Sequence, residues 1–243
     1  MANQKGGVAK TTTTAALAAS WAERGRKVLA VDLDPQAALT FSLGLEPDDV
    51  EPTIHDVLAG RTLLGDTVLS VEEGFDLVPA NIDLAGAEAY LLGRTAREYV
   101  LKEALEEVTE RYEIIVLDCP PSLGVLTLNA LTAADQVLVP MQAETLSHRG
   151  VAQLLATIED VRRLTNRNLR VAGLLPTMYD GRTRHAREVL ENVAQQYGVL
   201  VLPPVPKTIR FAEAPGVGVS ILGFSPRHPG AEVYRALSRE LVP

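Results

Sequence analysis

The chain has 243 residues, a formal net charge of −8, 47% hydrophobic residues and 22% charged ones. Those proportions suit an ordinary globular fold of one domain, and no run approaches the roughly 18 uninterrupted apolar residues of a membrane span. The single cysteine, Cys119, excludes a disulfide framework and a cysteine-only metal cage. The polar N-terminus opens straight into a motif, so no secretory signal is expected and the cytoplasm is the expected compartment. Charge is unevenly spread: residues 1–150 carry 11 basic against 23 acidic side chains, and residues 151–243 carry 12 against 8. A polyanion, if one is bound, is expected on the C-terminal half; chance unevenness of a surface is the alternative.

In chain order, the first informative segment is Asn3-Gln4-Lys5-Gly6-Gly7-Val8-Ala9-Lys10-Thr11-Thr12. Adjacent glycines let backbone amides converge on a phosphate without a Cβ in the way. Lys10 adds a positive charge for the outer phosphates, and the Thr11 hydroxyl stands where a magnesium ligand is needed. A helix predicted over Thr11–Arg24 adds its positive N-terminal end. Relative to the general phosphate loop, Gln4 stands at the first glycine position and Ala9 at the second. A Cβ at Ala9 costs about 1 kcal/mol if φ there is positive and nothing if it is negative. Such a loop normally hangs from a central strand; only Met1 and Ala2 precede Asn3, so that strand is expected to be largely missing.

Further on, an apolar strand over Val28–Val31 runs into Asp32 and Asp34, at the strand end where α/β sheets place ligand groups; capping and turn chemistry before Pro35 is the plainer reading. Leu45–Thr53, rich in acid and proline, is a loop. Strands follow at Phe75–Val78 and Ile114–Leu117, the second ending in Asp118 before Pro120 and Pro121 turn the chain. Others are predicted at Gln136–Val139, Val171–Leu175 and Val199–Leu202. Helical periodicity marks Ala96–Arg111, Leu123–Ala133, Leu146–Leu164, Thr183–Tyr197 and Ala231–Leu241. The alternation predicts an α/β fold with a mostly parallel twisted sheet flanked by helices, in a single domain over 1–243. Basic residues gather as Arg162, Arg163, Arg167 and Arg170, as Arg182, Arg184, His185 and Arg187, and as Lys207 and Arg210. Any one of them alone reads as solvated surface.

The extra early lysine of Asn3–Thr12 resembles the deviant Walker-A loop of the ParA/MinD family of P-loop ATPases. The likeness continues through Val31-Asp32-Leu33-Asp34-Pro35-Gln36, Leu117-Asp118-Cys119-Pro120-Pro121-Ser122, Thr177-Met178-Tyr179-Asp180-Gly181-Arg182-Thr183 and Ile209-Arg210-Phe211-Ala212-Glu213-Ala214-Pro215. It spans essentially the whole chain and is greatest with the chromosomal ParA (Soj) branch. The resemblance implies slow hydrolysis of ATP with Mg²⁺ in a sandwich homodimer, Lys5 of one subunit reaching the nucleotide of the other. It implies nucleotide contacts along Lys5, Gly6, Gly7, Val8, Ala9, Lys10, Thr11 and Thr12. Met178, Pro206 and Thr208 would stand at the base, Thr11, Asp32 and Asp118 around the metal, with Asp32 also supporting Thr11, and Asp34 would orient the attacking water. On the same grounds Arg182 and Arg210 would bind double-stranded DNA non-specifically. Val219 stands where the family often has a lysine. The implied role is DNA partitioning at the nucleoid, with a ParB-type centromere-binding protein stimulating hydrolysis.

A MinD-like membrane-associated ATPase is the alternative; the C-terminal Arg239-Glu240-Leu241-Val242-Pro243 does not resemble the basic amphipathic helix that such proteins use, so no membrane partner is expected. A metabolic ligase of this fold would need a substrate pocket that no motif suggests. The nitrogenase iron protein needs more than one cysteine per subunit, which one cysteine excludes.

Overall fold

A computed structural model describes residues 1–142, 147–181 and 184–242, and of residues 147–149, 184–187 and 193–194 the backbone alone. The strands are β1 (Val28–Asp32), β2 (Leu69–Ser70), β3 (Asp76–Val78), β4 (Ile114–Asp118), β5 (Gln136–Gln142) and β6 (Arg170–Thr177). The longer helices are α1 (Lys10–Glu23), α4 (Leu84–Leu92), α6 (Val125–Ala133), α7 (Ser147–Leu164), α8 (Arg184–Tyr197) and α11 (Pro229–Leu241). Short ones are α2 (Ala38–Ser42), α3 (Ile54–Leu58), α5 (Val100–Glu106), α9 (Arg210–Glu213) and α10 (Ile221–Phe224).

Side chains alternate along β1 as a strand with two covered faces requires. Val28 and Ala30 join a core built with α1, α2, α10 and α11, while Leu29 and Val31 join one built with α3 to α8. The α1 helix is buried over most of its length, and its alanines let it lie close against α11. There Trp21 Nε1 donates to the Ser238 carbonyl at 2.9 Å, and the Thr13 and Tyr234 hydroxyls meet at 3.0 Å.

The sheet is mostly parallel, but in two pieces. One has the order β2-β3-β1-β4, with β2 antiparallel at the edge; the other is the parallel pair β5-β6. Among the described residues, Met1–Asn3 bridge the gap between β4 and β5. The Met1 amino group donates to the Leu117 carbonyl at 2.5 Å, Cys119 N–H to Met1 O at 3.2 Å, and Ala2 N–H to Leu138 O at 3.2 Å. Below them lies a cavity of about 490 Å³ lined by Met1, Trp21, Ile115, Leu117, Gln136 and Leu138 among others.

Two expected elements come out differently. Val199–Leu202 shortens to one parallel bridge, Val201 to Leu174, with Leu174 N–H donating to Leu200 O at 2.8 Å and Leu202 N–H to Leu174 O at 2.9 Å. Pro203 and Pro204 lack the N–H for a regular continuation, and the next bond to β6 comes from Val205. The helix expected over Ala96–Arg111 narrows to α5, preceded by a 3₁₀ turn at Arg97–Tyr99. Glu106, Glu107 and Glu110 follow at the end where the helix dipole disfavours negative charge. Among the described residues no helix is long and apolar enough to cross a membrane.

Candidate nucleotide site

The loop between Met1–Asn3 and α1 is pinned from three sides. Asn3 Nδ2 donates to the Pro140 carbonyl at 2.7 Å, and Asn3 Oδ1 accepts the Lys5 amide at 3.0 Å. Thr177, ending β6, has its hydroxyl 3.0 Å from Val8 O and 3.2 Å from Met141 O, so that its one hydrogen is shared between the two carbonyls. Gly7 takes φ +69°, a conformation only glycine adopts without strain, and a Cβ there would project into open space. Ala9 precedes α1 at φ 64°, so the positive alternative is the one realised, with its strain of about 1 kcal/mol. No side chain caps the first turn of α1, which leaves its leading amides available to an anion.

Lys10, buried, places its ammonium 3.5 Å from the Lys5 carbonyl within the loop. Burial pulls its pKa below the ordinary lysine value, against the pull of Asp118 and Asp34 in the other direction. The Thr11 hydroxyl donates to Asp118 Oδ2 at 2.7 Å and Thr14 to Asp118 Oδ1 at 3.2 Å. Asp32 sits opposite Asp118 in the β1–β4 register. Its Oδ2 accepts from Thr40 N at 2.9 Å and Thr40 Oγ1 at 2.8 Å, and its Oδ1 from Asp34 N at 3.1 Å. Thr11 is thus supported by Asp118 and not by Asp32, whose oxygens go to Thr40 and the Asp34 amide. Both carboxylates are fully buried, and desolvation raises both pKa values: Asp32, with the Asp118 charge as second cause, to about 7, and Asp118 upward against the bond from Thr11. Asp34, on the turn after β1, accepts the Gln36 amide at 3.0 Å. Burial likewise pushes the Cys119 thiol up, so it stays protonated and acts as a small apolar side chain.

At the far end of β5 and β6, Met178 adopts φ 49° and is 43% exposed. Gln142 Nε2 reaches its sulfur at 3.0 Å and the Gly7 carbonyl at 2.9 Å, while Gln142 Oε1 accepts from Lys5 Nζ at 3.3 Å. Tyr179 pairs with Pro206 in an isolated bridge. Met178 is thereby brought near Pro206, with Thr208 two residues beyond, its hydroxyl accepting the Arg210 amide at 3.3 Å.

A family model described as an AAA domain matches residues 1–171. The chromosome-partitioning ATPase Soj of Thermus thermophilus is 46% identical, with 100% of this chain and 94% of that protein covered. The sporulation initiation inhibitor protein Soj of Bacillus subtilis is 44% identical, with 99% and 96% covered. The chain belongs to the ParA/Soj family of ATPases. A Mycobacterium smegmatis structure bearing the name cobyrinic acid a,c-diamide synthase, with ADP and magnesium bound, is 51% identical. It superimposes with a TM-score of 0.88, covering 98% of this chain and 90% of its own.

In this ParA/Soj chain the basic residues are not equivalent. Arg163 is paired with Asp160 at 2.8 Å, and Arg162 with Glu159 while also donating to the Leu169 carbonyl at 2.7 Å. Lys207 and Arg210 are exposed beside Ile209, which is 72% exposed; the Arg210 guanidinium contacts Glu213 at 2.9 Å and lies 6.0 Å from the Phe224 ring centre. Arg182 and the side chains of Arg184, His185 and Arg187 lie outside the described residues. Three contributors, Thr14, Thr40 and Gln142, stood in no quoted motif, and Thr177 stood in one without a role. Helical spacing puts the Thr14 hydroxyl on the same face as Thr11; the other three act across the fold and leave no local signal.

Proposed function

We propose that this chain is a single-domain DNA-partitioning ATPase. The observation that carries the reading is the loop itself: uncapped amides at α1, the open left-handed Gly7, the buried Lys10 ammonium and the Thr11 hydroxyl held on Asp118. That donor set suits a magnesium-bound triphosphate. Amides from Gly6 to Thr12 would cradle the phosphates, Lys10 would neutralise the outer ones, and Met178, Pro206 and Thr208 would frame the base. Thr11, Asp118 and Asp32 would hold the metal shell, with Asp118 fixing the Thr11 hydroxyl. Magnesium, once bound, supplies neutralisation of phosphate charge. Asp34 would orient the attacking water.

Lys5 would complete the site of a facing subunit in an ATP-dependent homodimer, coupling nucleotide state to association. Dimerisation would double a surface containing Arg210, Lys207 and Arg182, raising affinity for double-stranded DNA through phosphate contacts that read no sequence. A ParB-type partner would stimulate hydrolysis and release, giving a cytoplasmic, nucleoid-associated cycle. The name of the Mycobacterium smegmatis neighbour supports a second reading, ATP-dependent amide formation on cobyrinic acid.

DNA retention with ATP or ADP across a salt series separates the two. The partitioning reading expects retention with ATP that falls steeply with salt, is lost in Arg210→Glu with dimerisation spared, and is lost in Lys5→Ala because the dimer fails. Retention that ignores the nucleotide would contradict the ATP switch, and its absence alongside ATP-dependent amide formation would replace the first reading with the second.

A further inference from the structure

Gln142, the last residue of β5, touches the loop at two points and the base end at a third. Its Oε1 accepts from Lys5 Nζ at 3.3 Å; its Nε2 donates to Gly7 O at 2.9 Å and approaches Met178 Sδ at 3.0 Å. An ammonium only donates and a carbonyl only accepts, so these two partners fix which end of the carboxamide faces which. A carboxylate of the same length would hold Lys5 more tightly, yet would set a second acceptor against the Gly7 carbonyl. An aliphatic chain would satisfy neither.

All three contacts lie within one chain, with Lys5 folded over its own loop. The inference rests on the reading above, in which Lys5 serves the facing subunit. We propose that Gln142 is a positioning residue for Lys5: it parks the lysine in cis and sets the protein concentration at which the ATP dimer forms. Lys5 makes other contacts besides, so Gln142 contributes one part of the cis hold. The Gly7 and Met178 contacts keep the carboxamide in place after the lysine leaves, so the parking site is ready when the dimer parts. Two parked lysines are surrendered per dimer, one from each chain. A charge-assisted bond at a half-exposed site is modest, and two together correspond to roughly a three- to tenfold effect on association.

The test is sedimentation velocity of the full chain with ATP and magnesium, in an Asp34→Ala background to prolong the dimer. Gln142→Ala is expected to dimerise about three- to tenfold more tightly than its parent, and Gln142→Glu, which turns the contact into an ion pair, more weakly. A residue that merely supported the fold would weaken the dimer in both variants and lower the melting temperature. Should Gln142→Ala melt low, Gln142→Met keeps the length without the amide and is expected to tighten the dimer likewise. A dimer constant that is unchanged or weakened in Gln142→Ala or Gln142→Met with normal melting overturns the parking role while leaving the sandwich dimer standing. A parent that stays monomeric with ATP overturns both the dimer reading and this inference.

Discussion

The two flanks of the phosphate loop are built to different standards. On the β1–β4 flank, every oxygen of Asp32 and Asp118 has a named partner, and Thr11, Thr14 and Thr40 tie α1 and α2 to the strand ends. On the β4–β5 flank, Met1–Asn3 make a few bonds across the top of a cavity of about 490 Å³, and the sheet is split beneath them. The difference separates two requirements of the site. Placing the groups that would handle metal and water depends on the first flank; holding the amide cradle still depends on the second. The charged chemistry is pre-organised where the strands are paired, and the loop's rigidity is left to Asn3, Thr177 and Gln142.

The largest expected effect breaks the first flank. Lys10→Ala removes the one ammonium buried in the loop among the described residues, and Mg-ATP affinity should fall by about a hundredfold or more, since a charge-assisted contact to phosphate is worth ~3 kcal/mol. Calorimetric titration checks this; affinity within a few-fold of the parent would remove Lys10 from the site.

The second test closes the other flank. Appending four β-branched apolar residues ahead of Met1 should let an extended segment run between β4 and β5, burying apolar side chains and pairing both strand edges. Each buried side chain contributes ~1–2 kcal/mol before ordering costs, so the melting temperature should rise by about 5–10 °C. A Gly-Ser extension of equal length should leave it unchanged. Equal melting of the two extensions would mean that the cavity does not accept a strand.

A pH series sharpens the contrast further. Asp32 has its pKa raised to about 7 from an ordinary 3.8, so the folded chain holds a proton that the unfolded chain releases. Stability without metal or nucleotide should therefore fall as pH rises from about 4 through about 7. In Asp32→Asn, melting measured in chelator should show a shallower slope over that window. An equally steep slope in the variant would assign the titration elsewhere.

The smallest effect lies between the flanks. Ala9→Gly should relieve the left-handed backbone at the start of α1 and stabilise the chain by up to about 1 kcal/mol, seen in denaturant midpoints. A destabilised Ala9→Gly would show that the loop tolerates alanine without strain.

Much of the fold was readable from the chain. The runs now in β1 and β4, ending in Asp32 and Asp118, and the glycines before α1 carry their signal within a few residues. The short α2, α3, α9 and α10 were not foreseen, because four or five residues show no helical period. Neither was α4, whose Leu84-Ala85-Gly86-Ala87-Glu88-Ala89-Tyr90-Leu91-Leu92 run is apolar or small nearly all round and shows no amphipathic face. Val199–Leu202 looked like a strand, since periodicity does not register what two following prolines remove. Within the site the local half was legible and the remote half was not. Gln142 reaches Gly7 across 135 positions and Thr177 reaches Val8 across 169, so neither bond leaves a trace in sequence spacing. The same holds for the sign of φ at Ala9, which the loop pattern left open and the backbone settles as positive.

The central claim is that the Gly6–Gly7 amides, Lys10 and Thr11 together grip a magnesium triphosphate. Equilibrium titration of the purified chain with ATP, once with magnesium and once with chelator, tests it most directly. Saturable one-to-one binding that weakens at least tenfold without magnesium and again in Thr11→Ala is the predicted result. A chain that shows no affinity for adenine nucleotides, even with the β4–β5 cavity filled by an added strand, would contradict it.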